Sequence, residues 1–222
     1  MYSRGPARLL TICLSDNMED TMKQRTTRSE AVVWSDDFSD KRLDGWTQCG
    51  SFSAKDGTLK AADSPACEHP MHLATHPSPT AYGTWSFDAY ISRALTPRMV
   101  VMFISDFAPV MPPPADHEIH VYMLELLEHD KTVLNLIKLT GKGEDQTPIN
   151  LDSYRATRDL SGRLHIDITR DSSGRFRVYL NRKMVMDVVD TSITTSQNLA
   201  FLAPPGTALG NIAVSKTVDV LP

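Results

Sequence analysis

The stretch that decides the fold is RLHIDITRDSSGRFRVYL, residues 163–180, in which apolar and polar residues alternate on both sides of a turn. Alternation with a period of two is the pattern of a strand that buries one face. The Asp-Ser-Ser-Gly sequence at 171–174 supplies the turn, because Gly174 is free to take a positive φ. We therefore predict a β-hairpin whose second strand continues to Val185.

One register of this hairpin places apolar residues opposite apolar residues on one face and polar residues opposite polar residues on the other. The apolar pairs in that register are Ile168–Phe176, Ile166–Val178 and Leu164–Leu180. The polar face then holds two pairs, Asp167–Arg177 and His165–Tyr179. A slip by one residue would bury the charges, so we expect the faces to be fixed by burial.

The chain from residue 32 onward carries the same signals, with a turn sequence every few residues and alternation in 84–91. Residues 100–104 and 121–127 are apolar on both faces, which fits central strands or one short helix. We favour strands, because the apolar segment 133–139 follows closely and can pair back. Many short strands without a long helical period predict an all-β protein, a two-sheet antiparallel sandwich.

Composition excludes several classes of protein. The 222 residues are 41% hydrophobic, which is enough for a sizeable core and excludes wholesale disorder. The 23 basic residues are outnumbered by 27 acidic ones, so the net charge of −4 argues against a nucleic-acid partner. No apolar run approaches the roughly 18 residues of a transmembrane segment. Cys49 and Cys67 flank the turn at 56–57, and a disulfide between them is left open.

Residues 1–31 differ from the rest of the chain. They begin with a basic segment, continue with a six-residue apolar run at 9–14, and are then almost entirely polar. A signal peptide usually has an apolar region of about 7–15 residues, so this run is short for one. We interpret 1–31 as a flexible or partner-docked tail, with a targeting segment as the alternative, and 32–222 as one domain. We expect an extracellular or cell-surface location, with an intracellular one as the alternative.

Several phrases of the sequence match a known superfamily. They are Trp34–Phe38, Leu43–Trp46, Asp56–Leu59, Tyr82–Asp88, Ile168–Asn181 and Gly210–Ser215. Together they resemble the concanavalin A-like lectin/glucanase superfamily, particularly its laminin-G-like members, over roughly residues 32–220. The resemblance implies a jelly-roll sandwich. It does not imply one function, since this fold carries lectins, glycosidases, lyases and inert spacers.

The resemblance draws attention to Glu118-Ile-His120-Val-Tyr122, because glucanases of this superfamily carry alternating acids on one strand. Here His120 occupies the position of the Asp, and Tyr122 or Met123 that of the last Glu, so the second carboxyl group that glycoside hydrolysis requires is missing. Alginate-lyase-like members have a Gln-Ile-His strand that Glu118-Ile-His120 imitates. We therefore predict no catalysis, and keep Glu118 and His120 as the catalytic residues of the hydrolase or lyase alternative.

Sugar binding requires an exposed face with flat aromatic rings and planar hydrogen-bonding groups. The residues of this kind on predicted non-core faces are Tyr90, His120, Tyr122, His165, Asp167, Arg177 and Tyr179. Our leading prediction is a non-catalytic binding module with a glycan as its ligand. A structural or protein-interaction subunit of a larger assembly, with a protein partner, is the alternative.

Two metal sites are conceivable from the sequence. Many sandwiches of this type bind a structural Ca²⁺, and Asp36, Asp37 and Asp40 near one terminus could meet Asp219 near the other, because terminal strands often lie side by side. The alternative is that these aspartates cap turns. A loop could also bring Cys67, His69 and His72 together around a metal; otherwise they are surface residues beside turns.

Overall fold

The computed structural model describes residues 27–63, 71–90, 98–107, 116, 118–128, 132–143, 145–157 and 162–220. Every regular element in these residues is a β-strand, and the strands form two antiparallel sheets packed face to face. The predicted all-β sandwich is therefore confirmed. None of the described segments forms a helix long and apolar enough to span a membrane.

The residues that the structure describes form fifteen strands. They are β1 (Thr27–Asp36), β2 (Thr47–Cys49), β3 (Phe52–Lys55), β4 (Thr58–Ala61), β5 (His72–Pro77), β6 (Gly83–Tyr90), β7 (Arg98–Ser105), β8 (Glu118–Glu128), β9 (Thr132–Lys142), β10 (Thr147–Arg155), β11 (Arg163–Arg170), β12 (Arg175–Leu180), β13 (Lys183–Val189), β14 (Asn198–Ala203) and β15 (Ala208–Val220).

One sheet has eight strands in the order β13-β12-β11-β6-β15-β4-β3, with β1 paired to β15. The other has seven strands in the order β10-β9-β8-β7-β14-β5-β2. Strand β1 begins at Thr27, so residues 27–31, which we assigned to the tail, pair with the end of β15. Residues 1–26 lie outside the described residues, and the role of the tail stays a prediction.

Alternation predicted the core correctly in the eight-stranded sheet. Trp85, Phe87 and Ala89 of β6 are buried in the main core, and so are the predicted apolar residues of β11 and β12. The intervening side chains of these strands lie on the outer face of the sheet. This arrangement leaves a continuous polar surface on the outside of β6, β11 and β12.

The register of the β11–β12 hairpin differs from our prediction by two residues. Ile168 pairs with Val178 rather than Phe176, and Asp167 pairs with Tyr179 rather than Arg177. The faces are unchanged, because a shift by two keeps every side chain on the same side of the sheet. The turn selects the register: the Asp171 N–H bonds to the carbonyl of Arg175, and the Asp171 carboxylate accepts the N–H of Ser173.

The three apolar segments form β7, β8 and β9, which are interior strands of the seven-stranded sheet, so the strand interpretation of these segments is confirmed. Tyr122, however, is fully buried, and its prediction as a ligand-binding residue on a non-core face is wrong. Tyr122 shares its face of β8 with Leu124 and Leu126, which lie in the main core. Because β8 is apolar on both faces, its sequence does not show which face is turned inward.

A buried arginine ties the two sheets together at one end of the sandwich. Arg170 is 1% exposed, and its guanidinium donates to the carbonyl oxygens of Ala81, Ile193 and Asp190. The rings of Tyr82, Tyr122 and Phe176 surround it at 4.7–4.9 Å. Cation–π contacts of this kind stabilise a charge that has lost its water.

Asp190 completes this end of the molecule. Its carboxylate accepts hydrogen bonds from Tyr122, Ser192 and the ammonium group of Lys138, the last at 2.7 Å. Burial alone would raise the pKa of Asp190, but the hydrogen bonds from Lys138, Ser192 and Tyr122 hold it well below its usual range. The side chain of a core tyrosine is thus fixed by an ionised carboxylate.

Candidate functional site

The polar surface outside β6 and β11 is organised around Asp88. Its side chain is fully buried, although it lies on the outer face of the sheet. Nδ1 of His165, its cross-strand neighbour, lies 3.0 Å from one carboxylate oxygen. Arg163 contacts the other oxygen at 2.7 Å, and the side-chain amide of Asn211 donates to that same oxygen. We call Asp88, Arg163, His165 and Asn211 the Asp88 cluster.

The surroundings of Asp88 keep its carboxyl group ionised. Burial raises the pKa of Asp88, because a charge is costly to remove from water. Hydrogen bonds from Asn211, Arg163 and His165 lower the pKa by more, so it lies below its ordinary value. The hydrogen bond to Asp88 and the negative charge of that carboxylate raise the pKa of Arg163. The carboxylate therefore acts as an anchor that orients three donor side chains.

Above this anchor lies an open depression of about 380 Å³, lined by Arg163, His165, Asn181 and Arg182. The side chains of Arg163 and His165 are 55% and 36% exposed, so both reach the depression while they hold Asp88. Asn181 joins the turn to the cluster, since its N–H donates to the carbonyl of His165 and its side-chain oxygen accepts the N–H of His165.

The turn between β12 and β13 is unusual in its residues. Asn181 and Arg182 have φ values of 50° and 68°, the pair of positive values that a tight type I′ hairpin turn requires. Glycine is preferred at the second position, and an arginine there carries some backbone strain. The turn nevertheless places Arg182 at the wall of the depression.

Five of the predicted ligand residues lie on this outer face. Tyr90 pairs with Arg163 across the β6–β11 ladder, and Tyr179 pairs with Asp167 across the β11–β12 ladder. His165 and Arg177 complete the set. The predicted Asp167–Arg177 pair is wrong, because Asp167 instead accepts the hydroxyl of Ser86 at 2.7 Å and Arg177 faces Asp171 at 3.9 Å.

His120, the sixth ligand residue, lies in the other sheet, at the start of β8. Asp106, which follows β7, holds its Nδ1 at 2.7 Å and accepts its backbone N–H at 3.1 Å. Glu118 lies 3.4 Å from Nε2. The imidazole therefore stands between two carboxylates, and Asp106 is an acid that sequence reasoning did not connect with Glu118.

The predicted calcium site does not assemble. Strands β1 and β15 do lie side by side, but Asp36 pairs with Ile212 whereas Asp219 pairs with Arg28 at the other end of the ladder. Seven residues of extended chain separate the two positions, about 23 Å. Asp36, Asp37 and Asp40 instead accept the N–H groups of Phe38, Ser39 and Arg42, as turn-capping residues do. The described residues contain no group of three metal-binding side chains.

The histidines of β5 have structural contacts. His72 is buried and its Nδ1 accepts the N–H of Ser51, whereas His76 stacks on Trp34 at 4.0 Å between ring centroids. Burial lowers the pKa of both imidazoles, which keeps them neutral. Cys67 and His69 lie outside the described residues, so the loop metal site and the Cys49–Cys67 disulfide stay predictions.

At the sequence level, neither a protein-family profile nor a curated protein matches the chain. Solved structures do. A carbohydrate binding module of family 66 from Bacillus subtilis is 16% identical, with a TM-score of 0.54 over 76% of this chain and 93% of that one. The catalytic domain of an endo-1,3-β-glucanase (laminarinase) from Thermotoga petrophila is 12% identical, with a TM-score of 0.59 over 86% and 99%.

A protein of unknown function with a galectin-like fold from Bacillus subtilis is also similar, at 12% identity and a TM-score of 0.62 over 87% of this chain and 100% of that one. Identities this low define the fold and nothing finer. The chain has the concanavalin A-like jelly-roll fold, with two antiparallel sheets, as the sequence resemblance implied. The narrower resemblance to laminin-G-like domains stays a prediction.

Proposed function

We propose that this protein is a non-catalytic carbohydrate-binding module that uses the outer face of its eight-stranded sheet. The observation that carries the proposal is the Asp88 cluster, in which a buried carboxylate fixes two exposed donor side chains around an open depression. Donors that are already oriented lose little entropy when a ligand binds. Sugar hydroxyls accept hydrogen bonds from planar groups of this kind, and Tyr90 and Tyr179 supply aromatic surface at either side.

The arrangement of side chains on the same outer face argues against hydrolysis. Glycoside hydrolysis uses two carboxyl groups with the reacting sugar carbon between them. Asp88 and Asp167 are the two carboxylates next to His165 on this face, and the imidazole of His165 lies between them. Its Nδ1 is 3.0 Å from Asp88 and its Nε2 is 3.4 Å from Asp167. Asp88 is also fully buried, so it is out of reach of a substrate.

Similar folds support a carbohydrate ligand, since the neighbours include a carbohydrate-binding module and a laminarinase. Many carbohydrate-active proteins of bacteria work outside the cell, and we extend the proposal to an extracellular or cell-surface location. A protein partner in a larger assembly remains the competing role, and it predicts a different outcome in the experiment below.

The test is a glycan array followed by calorimetry on the best ligand, with three variants of the proposed face. Arg163→Gln, Tyr90→Ala and Tyr179→Ala should each weaken binding, the arginine change by about tenfold, which is ~1.4 kcal/mol. His120→Ala, which removes a comparably exposed side chain from the other sheet, is the matched control and should bind as the wild type does.

Binding that is lost in His120→Ala and kept in the three variants would move the site to the other sheet and overturn the proposal. An empty array, together with a protein that co-purifies in fixed stoichiometry, would favour the structural role. Circular dichroism and thermal unfolding of each variant show whether a loss of binding reflects a loss of fold.

A second candidate function rests on the group Asp106–His120–Glu118. Asp106 holds Nδ1 of the His120 imidazole and Glu118 lies 3.4 Å from its Nε2, and an imidazole oriented by carboxylates can transfer a proton, as a polysaccharide lyase requires. Absorbance of unsaturated products from alginate would reveal this activity. Its loss in His120→Ala would assign it to this group.

A further inference from the structure

The depression above the Asp88 cluster has the opposite charge from the molecule as a whole. The chain carries a net charge of −4, yet the side chains that line the depression are two arginines, a histidine and an asparagine. No carboxylate among the described residues lines its wall. A positive potential at the depression favours a negatively charged ligand.

The two arginines differ in their partners. Arg163 is paired with Asp88, whose charge it balances. Arg182, in contrast, has no ion pair or hydrogen bond through its side chain within the part of the chain that the structure describes. The charge of Arg182 is therefore the uncompensated one at this wall. Asp167 lies 3.4 Å from Nε2 of His165 and does not line the depression.

The position of Arg182 is imposed by the backbone. Its φ of 68° belongs to a region that non-glycine residues seldom occupy, and Asn181 fastens the turn to β11 through two hydrogen bonds. A strained residue at a ligand-facing turn, held by its surroundings, is a reason to look for a function. Guanidinium groups match carboxylates and sulfates because their donors lie in one plane.

We infer that the ligand of this face is an acidic carbohydrate, whose carboxylate or sulfate group is bound at the wall formed by Arg182 and Arg163. This inference rests on the proposed function and narrows it from carbohydrates in general to anionic ones. The two acidic groups share the same chemistry at a guanidinium, so the experiment includes one ligand of each kind.

The experiment compares ligands that differ only in charge. A galacturonate hexamer is titrated beside its methyl ester, and a sulfated galactan hexasaccharide beside its desulfated form. We expect the acidic member of at least one pair to bind more tightly, and its affinity to fall as salt is added. Arg182→Gln should weaken the acidic ligand about tenfold, a change of ~1.4 kcal/mol, and leave the neutral one unchanged.

Lys55→Gln is the matched control, because it makes the same change in net charge at the exposed end of β3, at the opposite edge of the sheet. It should leave both affinities unchanged. Equal loss in Lys55→Gln and Arg182→Gln would show a general charge effect and overturn the inference. An acidic preference that survives in both Arg182→Gln and Arg163→Gln would overturn it too.

The remaining outcomes distinguish a failure of the inferred preference for acidic ligands from a failure of the proposed carbohydrate binding. If the acidic and neutral members of each pair bind equally, and Arg163→Gln weakens both, the face binds carbohydrate and the charge inference is wrong. If no member of either pair and no glycan on the array binds, the proposed function fails and the inference fails with it.

Discussion

Replacing Asp88 by asparagine removes the charge at the centre of the polar face and keeps the shape of the side chain. Three donors converge on the carboxylate, from Arg163, His165 and Asn211. An amide can satisfy some of them but turns its own N–H groups toward at least one. Hydrogen bonds to charged groups contribute about 1.5–3 kcal/mol each. Arg163 and His165 are partly exposed and can hydrogen-bond to water instead. The contribution of each bond therefore lies at the lower end of this range, because solvent also screens the charges.

We therefore expect Asp88→Asn to lower the free energy of unfolding by about 2 kcal/mol at pH 7, or the Tm by about 4–8 °C for a chain of this size. The pKa of Asp88 is lower in the folded protein than in the unfolded chain, so this contribution is present above the ordinary pKa of 3.8 and is lost as the pH falls through the folded value. The deficit of Asp88→Asn should therefore shrink in acid.

The assay is urea unfolding of both proteins at pH 7 and again at about pH 3, with equal m values as the check on two-state behaviour. Asp44→Asn is the control, because Asp44 forms an exposed ion pair with Arg42 that contributes only about 0–1 kcal/mol. The reasoning is refuted if Asp88→Asn costs no more than Asp44→Asn, or if its cost is the same at both pH values.

Three further predictions follow from other parts of the molecule. Asp190→Asn should destabilise the protein by about 3 kcal/mol at neutral pH and by progressively less below about pH 4, because the folded pKa of Asp190 is lowered; a pH-independent loss in urea unfolding would contradict this. Gly83→Ala should cost more than ~3 kcal/mol, since the added Cβ would lie 2.0 Å from the carbonyl oxygen of Ser215, whereas Gly162→Ala, with open space around it, should cost about 1–2 kcal/mol; similar Tm values for the two would refute the steric argument. Laminarin and lichenan should release no reducing ends, because His120 and Tyr122 stand where the superfamily's glucanases carry further acids; turnover that disappears in Glu118→Gln would make the start of β8 an active site.

The alternation of apolar and polar residues is sufficient to predict which face of a strand is buried, but not which residues pair across two strands. The apolar alternation of β6 and β11 correctly separated the buried Trp85 and Ile166 from the outward Asp88 and His165. The same alternation could not fix the hairpin register, because shifts by two residues preserve both faces. The register depended on how Asp171 organises its turn, which is a matter of local hydrogen bonds.

The candidate site was harder to predict, since its residues come from distant parts of the chain. Asn211 reaches Asp88 only because β15 lies beside β6, and Asp106 reaches His120 only because β7 lies beside β8. No sequence pattern marks either neighbourhood. Tyr122 could not be placed from the sequence for a different reason. Its strand, β8, is apolar on both faces, so the sequence does not show which face is turned toward the main core.

The pairing of β15 has a consequence for how the protein is made. Trp34 pairs with Val214, 180 positions later, and β15 also pairs with β6 near the middle of the eight-stranded sheet. A ribosome adding about 5–20 residues per second completes β6 roughly 6–24 s before it reaches Ala208. Throughout that interval β1, β4 and β6 lack the strand that joins them, and their edges are open to other chains. We expect the nascent protein to depend on chaperones until β15 has emerged from the ribosome and paired with these three strands.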